Sequence, residues 1–283
     1  MVRPLRVHAP GIVCHVMSRG NGKQCIFTDD WDYQQFLEIL ALTVGRFRVK
    51  CHGYCELWNH FHLLVTPSDL PLSRMMQHLN SKYSQWFNRR HGRVGHVLQG
   101  RYRGLLVDNA SYFLHALRYV MLNPVAGRRA ADPASWRWSS YAATAGIVRA
   151  PDFLFLGDVW KAFDARSASA GQRRFVSFIN AAEGLDDLWG PLLMGSSTFA
   201  KQIDPLIQEH REDPAFLYEE RYATRPPLAE ILVLTNDREQ LQESTRVAFH
   251  RHAYTLREIG DLVGRHPATV WDWIQRAHRR RVR

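Results

Sequence analysis

The sequence predicts an α+β fold, with an antiparallel sheet unit in the first half and an all-α region in the second. Three observations carry this. Four short runs of strand composition fall within the first 107 residues, interrupted by two helix-length segments. From about residue 152 the apolar spacing turns helical. The chain has 283 residues, 46% of them hydrophobic, enough for more than one packed core.

The elements follow in order. Residues 11–19 read as the first strand. Asp29 or Asp30 caps a helix to about Val44, with Phe36, Leu37, Leu40 and Val44 on its buried side. Residues 47–56 are a second strand, and residues 59–66 return as a third. Pro71 opens a long helix to about His91. Residues 97–107 form a fourth strand, interrupted by Gly100 and Gly104. Asp108 or Asn109 can cap the next helix, which carries Phe113, Leu117, Val120 and Met121 at helical spacing and ends at Pro124. The order βαββαβα resembles a ferredoxin-like sheet with an added helix. Its open face is where a nucleic acid or that last helix would lie.

Trp136 to Tyr141 closes this unit, which spans residues 1–146. Residues 147–227 form a helical connector, with helices expected at 159–163, 174–182 and 199–203 and a polar, proline-bounded linker at 205–227. Residues 228–283 hold a helix-turn-helix. Thr255 and Glu258 make a capping box, Gly264 suits a left-handed turn, and Pro267 suits the start of the next helix. Ile259, Leu262, Val263, Val270 and Ile274 supply its small core. Arg265, Thr269 and Arg276 are its candidate DNA contacts. A plain helical hairpin is the competing reading of this segment.

The net charge of +10 points to polyanionic partners. Arginines cluster at Arg89-Arg90, Arg101 and Arg103, Arg128-Arg129 and Arg279-Arg280-Arg281. Singly, each cluster suits a solvated face. Jointly, with Tyr83, Trp86, Phe87 and Tyr102 interleaved, they suit a single strand held by phosphate contacts and stacking. The four cysteines make no disulfide framework where no secretory signal is read, and buried thiols explain Cys51 and Cys55 better than zinc does. No run of about 18 apolar residues occurs, so a membrane span is not expected. A cytoplasmic, nucleoid-associated protein is the expectation.

The chemistry concentrates in His60-Phe61-His62. On a strand, residues two apart face one side, so the two imidazoles point together while Phe61 points away. Two imidazoles on a rigid strand are half of a metal site, although they also suit a polar surface. On the last helix of the unit, Tyr119 and Asn123 are four apart and share a face. If that face meets the histidine strand, the site has three neutral ligands, His60, His62 and Asn123, and a nucleophile, Tyr119. Neutral ligands leave a divalent cation its full charge and open positions for a phosphodiester oxygen, which suits Mg²⁺ or Mn²⁺. A phenol ionises near pH ~10, so it needs positive charge nearby, which Arg118 is expected to help supply. Among rival tyrosines, Tyr83 shares helical spacing with Leu79 and Phe87, Tyr54 has no helical amide partner, and Tyr112 has no amide four residues on.

His60-Phe61-His62 resembles the His-hydrophobic-His motif of single-tyrosine HUH endonucleases, and within them the REP-associated tyrosine transposases. Four segments carry the resemblance across the first half of the chain, in order: His15 to Asn21, Asn59 to Val65, Phe87 to Tyr102, and Arg118 to Val125. Trp58 departs from the proline usual before Asn-His. The resemblance implies a metal-dependent DNA strand transferase with Tyr119 as nucleophile and Asn123 as third ligand, acting on single-stranded or hairpin DNA and leaving a 5′-phosphotyrosine and a free 3′-OH. Duplex DNA would be held by the C-terminal domain. It also implies a monomer or a homodimer, since relatives exchange catalytic helices between subunits. The alternative is a DNA-binding regulator with an idle site. Arg89, Arg90, Arg101, Arg103 and Arg118 are the expected DNA contacts around the site.

Overall fold

The strands of the first half alternate in a way that gives the sheet two different faces. In the computed structural model, which describes residues 9–108, 110–181, 193–208, 222, 224–235, 237–250 and 252–281, the first half runs β1 (Val13–Arg19), α1 (Asp30–Phe47), β2 (Lys50–Leu57), β3 (His60–Thr66), α2 (Leu72–Arg90), β4 (Arg103–Val107) and α3 (Ala110–Ala126). The sheet order is β2-β3-β1-β4-β5. The first four strands pair antiparallel; the two-residue β5 (Leu193–Met194) joins β4 in parallel, so the sheet is mixed rather than purely antiparallel. Two residues are too few to show a period, which is why β5 is not legible from apolar spacing.

On one face Cys14, Val16, Phe61, Leu63 and Val65 pack under α1 and α2 with Phe36, Leu40, Met76, Leu79 and Tyr83. On the other, Cys55, Leu57, Leu64 and Val107 pack under α3 through Phe113, Leu117, Val120 and Met121. Gly53 sets how closely α3 approaches β2. A Cβ there would stand 2.9 Å from the Met121 methyl and 3.1 Å from Leu117 Cδ1.

Several boundaries differ from the sequence expectation. Asp29 caps α1 by accepting from the Trp31 and Asp32 N–H groups, but the helix runs to Phe47, where Arg48 closes it in a left-handed conformation (φ 50°). Residue 47 is therefore helical, and β2 starts at Lys50. β4 begins at Arg103, not 97. Gly95 and Gly100 take φ of 97° and 60°, which no strand accommodates, and only Leu98 of that stretch bridges, to Gly20. α3 includes Pro124 in its last turn and ends at Ala126. A proline near the C-terminus of a helix forfeits one backbone bond without stopping the turn that contains it. Asn109, one of the two cap candidates, lies outside the described residues.

A buried charge cluster ties the two helices of the first face together. Asp32 is fully buried and accepts from Thr28 N and Oγ1 (2.8 and 2.6 Å), His91 Nε2 (2.9 Å) and Arg90 Nη1; Arg90 also reaches Asp29. Burial alone would raise the pKa of Asp32, but the bonds from Thr28, His91 and Arg90 outweigh it and hold it below the usual carboxylate range. Beyond α3, the chain returns along the outer edge of β2. Glu56 N–H donates to Trp138 O (2.9 Å), and Tyr54 N–H donates to Ser140 Oγ (2.9 Å). That return covers an edge strand that would otherwise be open to pairing.

The second half is largely helical: α4 (Tyr141–Thr144), α5 (Gly157–Ala162), α6 (Ala168–Asn180), α7 (Ser197–Gln208), α8 (Leu228–Ile231), α9 (Arg238–His250), α10 (Leu256–Val263) and α11 (Pro267–Arg281). α6 begins six residues before its expected start, and α7 runs through Pro205 into the expected linker; most of the remainder of that linker lies outside the described residues. In the last unit Ile259, Val270 and Ile274 meet Ala248, Tyr254 and Leu232. Leu262, expected in this core, is exposed. α9 packs against α11 and contributes Ala248 to this core. The capping box is formed: Glu258 N–H donates to Thr255 Oγ1 (3.1 Å) and Thr255 N–H to Glu258 Oε2 (2.7 Å). Gly264 closes α10 at φ 65°, and Gly260 lets the turn fold back, since a Cβ there would stand 2.5 Å from the Arg265 carbonyl oxygen.

Candidate active site

Strand register builds the site. Residues directly opposite in an antiparallel ladder point to one face. Met17 lies opposite His62 and Arg19 opposite His60, and on the far side of β1 Met17 lies opposite Arg103. His15, Met17 and Arg19 therefore share the face of His60 and His62, which is the face that α3 covers. Tyr119, on α3, comes down onto this cluster. Its ring centroid lies 5.7 Å from that of His62 and 5.5 Å from that of His15, both edge-on. The His60 and His62 rings lie 5.0 Å apart and the His15 and His62 rings 5.1 Å apart, the latter stacked. His15 Nε2 and His62 Nδ1 are hydrogen-bonded at 2.9 Å. The tyrosine and the histidine pair meet within one chain.

Residues 9–122 match the family model described as IS200-like transposase. The match covers less than half of the chain, and these residues are similar to that family. A solved structure of a REP-associated tyrosine transposase bound to a REP hairpin superposes with a TM-score of 0.44 and 18% identity, over 56% of this chain and 93% of that one. No curated protein matches the chain.

The donor set of this unit suits a cation. Burial drives the pKa of His15 down to about 4; burial, and then the charge of Arg19, takes His60 to about 4; burial, and then its two histidine neighbours, takes His62 well below its ordinary value. All three are neutral near pH 7, as metal ligands must be. His60 Nδ1 donates to Asn59 Oδ1 at 2.6 Å, which leaves the lone pair on Nε2. Among the described residues no group of three or more His, Cys, Asp or Glu is arranged to hold a metal ion. Asn123 Nδ2 donates to the Tyr119 carbonyl at 2.8 Å, which leaves its Oδ1 as an acceptor.

The expected DNA contacts divide. Arg89 and Arg103 are exposed, and Arg101 is half-buried. Arg265 and Arg276 are exposed and Thr269 half-buried in the last helical unit. Arg90 and Arg118 are held by the protein itself. Arg90 is in the Asp29 and Asp32 cluster. Arg118 lies 3.6 Å over the Phe178 ring and donates to the Phe178 carbonyl at 2.6 Å, which locks α6 onto α3 and takes its charge away from the role expected beside Tyr119. Tyr83, Phe87 and Tyr102, read as stacking residues, are buried in the core, so they pack helices rather than bases. Tyr54 and Tyr83 lie on the opposite face of the sheet, and burial raises both phenols. Two residues of the cluster escaped the sequence reading: His15 and Arg19. The signal was present in the alternation His15-Val16-Met17-Ser18-Arg19, but one strand does not reveal which other strand it pairs with.

No helix of the described residues is long and apolar enough to cross a membrane. Cys14, Cys51 and Cys55 are buried free thiols, and His52 Nδ1 donates to the Phe155 carbonyl (3.2 Å) while its Nε2 accepts from Thr66 Oγ1 (2.7 Å), so the fold occupies both ring nitrogens.

Proposed function

We propose that residues 1–146, as a ferredoxin-like HUH unit, cut and rejoin single-stranded or hairpin DNA through Tyr119, with residues 147–227 as connector and residues 228–283 holding duplex DNA by a helix-turn-helix. The observation that carries this is the meeting of Tyr119 with the His60 and His62 pair across β3 and α3. His60 and His62 would hold Mg²⁺ or Mn²⁺ through Nε2, with Asn123 Oδ1 as third ligand. Bound there, the cation supplies the charge that polarises the phosphodiester and orients it for in-line attack. Tyr119 Oη forms a bond to phosphorus as the bond from phosphorus to the 3′ oxygen breaks. The phenol gives up its proton, and the departing oxygen gains one to become a 3′-OH. The 5′-phosphotyrosine retains the energy of the broken linkage, so the step runs back against a new 3′-OH.

The contact of Tyr119 with its own histidine strand supports assembly within one chain over exchange of α3 in a homodimer. In the C-terminal unit, Arg265, Thr269 and Arg276 would meet the duplex, with Thr269 and Arg276 two turns apart on α11. The test uses an end-labelled hairpin oligonucleotide with single-stranded flanks and Mn²⁺. A covalent adduct that disappears in Tyr119→Phe and on chelation supports the reading. Cleavage that survives Tyr119→Phe points to metal-bound water instead. Tight binding without an adduct across hairpins drawn from the DNA flanking the gene points to a regulator with an idle site.

A further inference from the structure

We propose that Arg19 is a catalytic residue that binds a non-bridging oxygen of the scissile phosphate; this rests on the strand-transfer reading of the same site. Arg19 is the last residue of β1 and lies directly opposite His60. Strand alternation puts its side chain on the face of His15, His60 and His62, and its charge reaches the His60 ring.

What sets Arg19 apart is that the fold makes no use of its charge. It is half-buried, its Nε is out of solvent with no hydrogen-bond partner, and it forms no ion pair among the described residues. Several other arginines of this unit are occupied, while Arg89 and Arg103 are exposed to solvent. Arg90 pairs with Asp29 and Asp32, Arg137 with Asp30, Arg93 donates to Gln24, Arg118 sits on Phe178, and Arg129 lies over Trp58. Half-burying a guanidinium without an acceptor costs free energy, and a native structure retains such a group where a ligand completes it. The ligand must be an acceptor, because a guanidinium only donates, and its positive charge favours an anionic one. Here the cluster beside it offers neutral imidazoles and a phenol, so the anion is the one that Tyr119 attacks. A guanidinium fits two phosphate oxygens at once and stays charged at every working pH. In the transfer, negative charge grows on those oxygens as the Tyr119 oxygen approaches and the 3′ oxygen departs, so a donor placed there stabilises the transition state more than the ground state.

The experiment uses the full chain with Arg19→Gln and Arg19→Lys. Thermal melting comes first. Arg19→Gln removes a half-buried charge that has no partner, so it should melt no lower than wild type. Adduct formation on the hairpin with Mn²⁺ should then slow by about 10²–10³-fold in Arg19→Gln, with hairpin affinity changed only a few-fold, and Arg19→Lys should recover part of the rate. A methylphosphonate at the linkage mapped by the wild-type adduct removes the oxyanion, so wild type and Arg19→Gln should react with it at equal rates. An Arg19→Gln rate within threefold of wild type on the ordinary phosphate overturns the proposal, as does an undiminished penalty on the methylphosphonate. A wild type that gives no adduct counts against Tyr119, not against Arg19. Hairpin binding by Tyr119→Phe then decides: loss of Arg19 should shift the slope of log affinity against log salt by about one, and an unchanged slope overturns the phosphate contact.

Discussion

The two faces of the sheet treat buried polar groups in opposite ways. Under α1 and α2, Asp32 lies at 0% exposure but is surrounded by Thr28, His91 and Arg90. Under α3, His15 and His62 are buried and His60 half-buried, with their charged forms suppressed, and Arg19 keeps its charge with no acid to meet it. The difference teaches where the molecule works. A buried charge that is fully hydrogen-bonded holds helices in register, whereas buried polar groups left for something else mark a site that a ligand completes. Strand β3 serves both faces at once, Phe61 and Leu63 on one and His60 and His62 on the other, so the rigidity of the first core is handed directly to the ligands on the second.

The sharpest way to break this comparison is to cross the faces by mutation. His62→Ala should lower adduct formation by about 10³-fold or more and abolish Mn²⁺ binding in titration calorimetry, with only a small drop in melting temperature from the His15 bond it breaks. If the same variant melts well below wild type, His62 is a structural residue and the division of the faces is wrong. Asp32→Asn should do the reverse. Removing one partner of a buried pair costs about 3–5 kcal/mol of stability, read by urea unfolding, while adduct formation at low temperature stays within a few-fold of wild type. A third test asks whether the C-terminal unit is independent of both faces. Gly260→Ala forces a Cβ against the Arg265 carbonyl, and about 1–3 kcal/mol of overpacking should loosen the α10–α11 turn and weaken duplex binding, leaving single-strand cleavage intact. Equal losses in both activities would show the two ends to be one machine.

Smaller effects come from pH. The folded pKa values of His15 and His60, about 4, lie below the ordinary value of 6.5, and that of His62 also lies well below it. The unfolded chain therefore takes up protons first as the pH falls. Stability is full above pH 6.5 and declines between 6.5 and about 4. Chemical denaturation at pH 7.5, 6 and 5 should show that decline, and His15→Phe should flatten it. Glu56 is the exception on the first face: it is fully buried, neither carboxyl oxygen has a hydrogen-bond partner, and burial raises its pKa well above 4.5. Its protonated form is the folded one, so its contribution is intact below pH 4.5 and fades as the pH rises. Glu56→Gln should stabilise the protein by about 1 kcal/mol at pH 8 relative to pH 5; no difference between the two pH values would mean that Glu56 finds a partner in solution.

The amino-acid order determined the alternation of β3, the helical spacing of α3 and the capping box of α10. It thus showed that His60 and His62 face together, that Tyr119 and Asn123 share a side, and that a turn at Gly264 separates two short helices. Those are local properties, set by backbone periods of 2.0 and 3.6 residues and by which backbone angles a side chain tolerates. Pairing was a different matter. That β1 lies between β3 and β4 brought His15 and Arg19 beside the histidine pair. That Phe178 of α6 lies over α3 took Arg118 out of the site. Both depend on contacts tens of residues apart, whose free energy comes from burying whole faces against one another, so only the folded chain decides them.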